Sequence, residues 1–168
     1  LMLASAGLGH ARLWDVATGR AQMVMDLNGF GQRLTLALDH RGRRLVCGGH
    51  RDRDTNAAPP NIGLWDIEPH RGIDALRGLS CAARKVWVSK DSQRLAALSD
   101  DWRLAVWDLA QRRVLFVFET PQGVLADNAG GCFDANGGRF AFATGHEACL
   151  FDLATGTATR DAINTGIV

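Results

Sequence analysis

Four copies of one short phrase recur along the chain: Leu13-Trp14-Asp15-Val16, Leu64-Trp65-Asp66-Ile67, Val106-Trp107-Asp108-Leu109 and Leu150-Phe151-Asp152-Leu153. The aromatics stand 51, 42 and 44 residues apart. A period of about 40–45 residues closing on an aromatic–Asp pair marks one small supersecondary unit used repeatedly. Such a unit cannot bury both of its faces alone and must stack on its neighbours. The chain is therefore expected to form an array, and to report interaction surfaces rather than an active site.

A second element recurs upstream of each later aromatic. It runs from Leu36 to Leu45, returns from Val86 to Leu95, and returns again from Gly131 to Phe140. Each copy is an apolar run, a polar four-residue turn and another apolar run, which is a hairpin signature. Each unit then reads as four strands, a to d. In the third copy they are expected at Lys85–Ser89, Arg94–Leu98, Leu104–Leu109 and Val114–Phe118. Strands this short and this rich in Val, Leu, Phe and Trp suit burial on both faces. Turn residues every 8–12 positions and the lack of a sustained 3.6-residue period disfavour helix.

The arrangement resembles the WD-repeat family of β-propellers over nearly the whole chain. The residues that carry the resemblance are Trp14-Asp15, Trp65-Asp66, Trp107-Asp108 and Phe151-Asp152, the turns at 39–42, 89–92 and 134–137, and the Ala17-Thr18-Gly19 and Ala154-Thr155-Gly156 steps. The resemblance implies an all-β fold of four-stranded antiparallel blades, at approximately 1–29, 30–79, 80–120 and 121–163. It also implies that the repeated Asp residues accept hydrogen bonds in turns. The family often buries a network joining a Gly-His pair, a strand-b Ser or Thr, an Asp in the b–c turn and the strand-c Trp. Here only Ser99-Asp100-Asp101 resembles that b–c turn, and Trp102 follows where Gly is usual. An absent or partial network is therefore expected, with the blades leaning on apolar packing.

Counting back from Trp14 as from Trp107 puts Leu1 at the start of a strand b, so the first blade is expected to lack strand a. At the other end the chain is expected to stop after a strand d, giving 15 strands. Four blades is the lower limit for a closed ring. The expectation is an open arc of a larger propeller. Alternatively Ile163–Val168 fold back to supply the missing strand, or two copies complete one eight-bladed ring. Open blade faces invite self-association.

Composition excludes several function classes. Apolar residues make up 46% and charged residues 22%, as in ordinary globular chains, and the net charge of +1 gives no field for nucleic acid or an anionic membrane. No apolar run approaches the span of a bilayer. Cys47, Cys81, Cys132 and Cys149 form no CxxC pair and are expected to be small buried apolar side chains in a reducing compartment, which favours the cytoplasm; a disulfide or metal role is the alternative. Seventeen of the 19 basic residues are Arg, which we attribute to genome composition.

Candidate partner-binding residues come from the loops. From turn to aromatic takes 26 residues in the second copy against 18 and 17 in the third and fourth, so an insertion is expected at His50–Asn61 in the b–c loop. Arg51 and Arg53 there offer planar donors to carboxylates; a tolerated surface insertion is the plainer alternative. The approach Thr120–Gly130 is also long. Trp102 at a b–c tip is either an interface anchor or a cover for the neighbouring blade. Trp87 is expected in the core. His50, Arg51, Arg53, Asp101, Trp102, His146 and Glu147 form the expected binding face. His10, His50 and His146 lie near the b–c turns of three separate blades and are not expected to converge on a metal. No G-x-S-x-G, H-E-x-x-H or phosphate-cradling loop occurs. A non-catalytic scaffold that binds protein partners, with no cofactor, is the expectation. The alternatives are a lactonase-like or quinone-cofactor propeller enzyme, or a supporting segment of a larger bacterial signalling protein.

Overall fold

Fifteen strands and no helix are present among the described residues of the computed structural model, which are 1–7, 9–27, 30, 33–50, 62–67, 71–120, 129–143 and 147–162. They form four antiparallel sheets in chain order. Sheet one holds β1 (Met2–Gly7), β2 (His10–Asp15) and β3 (Arg20–Asp26). Sheet two holds β4 (Arg33–Leu38), β5 (Arg44–His50), β6 (Ile62–Asp66) and β7 (Arg71–Leu76). Sheet three holds β8 (Ala83–Val88), β9 (Arg94–Ser99), β10 (Arg103–Asp108) and β11 (Arg113–Glu119). Sheet four holds β12 (Gly130–Phe133), β13 (Arg139–Ala143), β14 (Glu147–Asp152) and β15 (Thr157–Ala162). The strand expected at Lys85–Ser89 begins two residues earlier, at Ala83. Ser89 instead caps the hairpin that follows, accepting from the Arg94 amide at 2.9 Å.

The register explains the packing. Successive side chains of a strand point to opposite faces. On one face, here called the front, the aromatics Trp14, Trp65, Trp107 and Phe151 stand opposite Leu3, Leu45, Leu95 and Phe140. The front of each sheet packs on the back of the sheet before it. Leu13 and Ala11 of sheet one meet Leu45, Cys47 and Trp65 of sheet two. Val46, Ile62 and Leu64 of sheet two meet Leu95, Ala97 and Trp107 of sheet three. Ala96, Leu98, Leu104 and Val106 of sheet three meet Phe140, Phe142, Cys149 and Phe151 of sheet four. Fully burying one such side chain is worth about 1.5–3 kcal/mol, so these three contacts dominate stability. Opposite each of the three Trp residues the last strand of the sheet bulges; opposite Phe151 the pairing is regular. A bulge bends the strand and sharpens its twist.

Turn chemistry repeats with the sheets. Asp39 Oδ1 accepts from the amides of Arg43 (2.6 Å) and Arg44 (2.9 Å), and Asp134 Oδ1 accepts from the Arg139 amide (3.1 Å). At the turn after each aromatic, Asp15 Oδ1 accepts from Ala17 N (2.8 Å), Asp108 Oδ1 from Ala110 N (2.8 Å), and Asp152 Oδ1 from Ala154 N (3.0 Å). The Thr155 and Ala154 amides hold the Asp152 carboxyl below the usual carboxylate range. Asp66 also pairs with arginines: Arg44 Nε of its own sheet at 3.1 Å and Arg112 Nη2 of sheet three at 3.5 Å. Arg44 also donates to the Ser92 carbonyl at 3.2 Å, so the second and third sheets are tied at this end.

Each turn class also needs one residue in the left-handed region. The first hairpin uses Gly42 (φ 67°), Ser92 (62°) and Gly137 (67°), and the turn after the aromatic uses Gly19 (67°), Arg112 (53°) and Gly156 (69°). Ser92, Trp102 and Arg112 are the non-glycine members among the described residues, and all lie in sheet three. A non-glycine residue held there costs about 1–2 kcal/mol.

Ser92 carries a second cost, because its buried hydroxyl has no hydrogen-bond partner among the described residues. Ser92→Gly removes both the hydroxyl and the Cβ, and the glycines at 42 and 137 show that the turn accepts it. An unpaired buried hydroxyl costs about 1–3 kcal/mol, and added chain entropy takes back about 0.5–1 kcal/mol. The variant is expected to gain about 1 kcal/mol or more, seen as a higher urea midpoint with unchanged m-value.

Candidate functional site

The end of the stack where each second strand hands over to the third is most developed in sheet three. There the chain leaves β9 at Ser99, turns through Asp100, Asp101 and Trp102, and re-enters at Arg103. The Trp102 amide closes the turn on the Ser99 carbonyl at 3.1 Å. Ser99, almost fully buried, accepts from the Arg103 amide at 3.2 Å and hydrogen-bonds to Asp101 Oδ1. Ser80, on the segment leading into β8, donates to Asp101 Oδ2. The Asp101 amide donates to Cys81 Sγ at 3.3 Å, and Arg103 lies 3.8 Å from the carboxylate. Beside this cluster Arg84 pairs with Asp100.

These contacts fix the charge of Asp101. Burial acts to raise its carboxyl. Hydrogen bonds from Ser80, Ser99 and Cys81 and the Arg103 charge outweigh burial and bring it down to about 2. A carboxylate so fully engaged is an anchor for the turn rather than a proton carrier.

Trp102 is the strained member, at φ 63° where sheet one uses Gly9 (φ 79°). A bulky side chain in this region is an outlier held by its surroundings. Its carbonyl accepts both the Thr120 amide (2.9 Å) and the Thr120 hydroxyl (2.6 Å). Its half-buried ring packs on the cluster between sheets three and four. The ring thus covers the neighbouring sheet while keeping an exposed edge, so the two roles expected for Trp102 are not exclusive.

The polar network is partial, and it is divided between sheets. In sheet one Trp14 Nε1 donates to Ser5 Oγ at 2.8 Å. In sheet three Trp107 is wholly buried and its Nε1 donates to the Arg77 carbonyl at 2.9 Å, with Gly78 beneath the ring. There the Asp101 side chain reaches Ser80 and Ser99 without involving Trp107.

The other expected binding residues are scattered. Glu147 is half-buried and opens β14, and His50 is the last residue of β5 rather than part of a loop. Arg51, Arg53 and His146 lie outside the described residues, as do 121–128 of the long approach. Asp101, Glu147 and His50 occupy the corresponding connection in sheets three, four and two, on one end of the stack. Trp87 packs its half-buried ring against Phe140, with centroids 5.4 Å apart. All four cysteines are free, but Cys132 is exposed, contrary to the expectation of burial, because it faces away from sheet three. Burial pushes the Cys47 thiol up to about 12.

Sequence reasoning missed Ser80, Cys81, Arg84 and Thr120. Their signal is positional: Ser80 and Cys81 lie just before β8 and Thr120 just after β11, and only the closure of the sheet brings them to the turn. Among the described residues no group of three or more His, Cys, Asp or Glu side chains could hold a metal ion, and no helix is long and apolar enough to cross a membrane. No family model matches the chain, and no curated protein matches it.

The depressed Asp101 carboxyl contributes stability that is present above its unfolded value, near 4, and is lost as pH falls through about 2. Asp101→Asn is therefore expected to be less stable than the parent at pH 7, with the gap narrowing between about pH 4 and 2. Denaturant midpoints of both proteins across that window test this. A gap independent of pH would mean that the carboxylate charge contributes nothing.

Proposed function

We propose that the chain is part of a WD-repeat-type β-propeller and acts as a non-catalytic scaffold for protein partners. The partner surface is the end of the blades that carries Asp101 and Trp102. The observation that carries this reading is Trp102 itself, a large aromatic in a conformation that favours glycine, fixed by Thr120 and flanked by Asp101, Arg103 and the Arg84–Asp100 pair. Strained backbone persists where the surroundings over-determine it, and such places are often functional. A rigid indole beside oriented charges is the usual composition of an interface anchor. The repeated Asp turns and the sheet-on-sheet packing support the propeller reading, since four units of one design stack in order. Net charge near neutrality favours a protein partner over nucleic acid or a lipid surface.

Trp102→Gly separates binding from folding. Relief of the left-handed strain, about 1–2 kcal/mol, offsets loss of a partly buried ring, so stability is expected to change by no more than about 1 kcal/mol. Partners are first captured on the parent chain and identified, and each is then titrated against both proteins. The expected result is affinity lowered by at least about 30-fold, the size of an anchor residue. Unchanged affinity for every such partner would remove this corner from the interface.

A further inference from the structure

The first strand of each four-stranded sheet is an edge strand, and β8 lies against both β4 and β12. These edges keep backbone groups pointing away from their own sheets. The Ser89 amide donates to the Arg94 carbonyl at 3.0 Å, and the pairing over residues 85–88 is regular. Bonded and non-bonded positions alternate along an antiparallel pair. Ser89 and Trp87 therefore bond to β9, while Val88 and Val86 turn their N–H and C=O groups away from it. The Asp39 amide on the Arg44 carbonyl (2.8 Å) and the Asp134 amide on the Arg139 carbonyl (3.0 Å) leave Leu38 and Phe133 in the corresponding orientation.

The three strands border a cleft of about 410 Å³. Ala37, Val88, Trp87 and Phe133 give it apolar surface, and His40 and Lys90 join it from the turns that follow β4 and β8. No acidic residue lines it. The acids of these turns are bent back into their own hairpins. Asp39 accepts from the amides of Arg43 and Arg44, Asp91 from the Ser89 hydroxyl and the Gln93 amide, and Asp134 from the Arg139 amide. The exposed side chains of His40 and Lys90 make no ion pair or hydrogen bond among the described residues. The cleft thus carries uncompensated donors at one end and apolar surface along its length.

We infer that this cleft binds a small organic anion, a carboxylate carried on an apolar body. Lys90 supplies the cation and His40 a ring N–H for the carboxylate. The edge N–H and C=O groups of Val86, Val88, Leu38 and Phe133 serve any further polar atom of the ligand. Trp87 and Phe133 take its apolar part. The volume falls within the roughly 300–1,000 Å³ of small-molecule sites, which combine apolar lining with a few placed polar groups. A nucleotide, with several charges, is matched by arginine forks, and no Arg lines this cleft. The lining belongs to the first strands and first hairpins of three successive sheets, at the opposite end of the strands from the Trp102 turn. The inference is therefore independent of the partner surface proposed above.

Amide NMR titration of the full chain with naphthoate, an aromatic carboxylate, reads affinity and place together. Saturable binding with a dissociation constant below about 1 mM is expected. The largest shifts should fall on the amides of Leu38, Val86, Val88 and Phe133. Naphthamide, the same ring without the charge, should bind at least about tenfold more weakly. Lys90→Ala should weaken naphthoate at least about tenfold and His40→Ala at least about threefold, with circular dichroism unchanged. Both positions are exposed, and sheet four has Ala135 at the same place in its turn. Neither variant should alter the affinity for naphthamide by as much. No saturable shift at about 1 mM naphthoate would overturn the site. Equal affinity for naphthamide, a naphthoate affinity that neither variant changes, or shifts gathered on another face of the sheets would each do the same.

Discussion

Everything in this molecule depends on the contact between the front of one sheet and the back of the sheet before it. A four-stranded sheet of mostly apolar residues has two faces to bury and, among the described residues, no helix to cover either. The solution is repetition. Trp65, Trp107 and Phe151 each press on an aliphatic or aromatic row supplied by the preceding unit. Backbone hydrogen bonds build the individual sheets, but they do not hold one sheet to the next. That work falls to side-chain burial, assisted by a few cross-sheet polar ties such as Asp66 with Arg112 and Lys85 Nζ with the Ala129 carbonyl at 2.8 Å.

The same repetition explains why the backbone turns are so uniform. Sheets that must stack in one register need corners of fixed geometry, and the chain meets that need with an Asp acceptor followed by a left-handed residue. Sheets one, two and four supply glycine at those corners where the turns are described, and sheet three supplies Ser92, Trp102 and Arg112. Packing on both sides of sheet three makes the cost tolerable. Its front and back both belong to closed cores, with Leu95, Ala96, Ala97, Leu98, Leu104, Ala105, Val106 and Trp107 all at 0% exposure. Strain is held most securely where the surrounding structure has least freedom to relax it.

Much of this was legible in the residues. Aromatic–Asp pairs at a steady spacing locate the third strand of each sheet, and counting from them puts Arg94 at the start of β9, where the structure has it. The polar turns at 39–42, 89–92 and 134–137 mark the hairpins because Asp39 and Asp134 are the acceptors that close them. What the sequence conceals is long-range. Nothing local to Ser80 tells that its hydroxyl meets Asp101, 21 residues away. Nothing local to Cys132 tells that it faces outward, since strand alternation fixes that two faces exist but not which is covered. The bulges opposite the tryptophans are likewise silent, because they are a matter of pairing between two strands rather than of either strand's own residues.

Trp102 shows why local rules and tertiary structure diverge at this corner. Turn chemistry alone asks for glycine there, as at Gly9. The indole is kept in place by three independent constraints: its amide on Ser99, its carbonyl under Thr120, and its ring on the core of the next sheet. Asp101, immediately before it, is fixed as an anion by donors from two other segments of the sheet. No single one of these contacts offsets the left-handed backbone comfortably; together they do. A site whose parts come from the end of β9, the approach to β8 and the exit of β11 is rigid only when the whole sheet is formed. Its geometry therefore reports the integrity of sheet three, and sheet three owes that integrity to the neighbours stacked on both its faces.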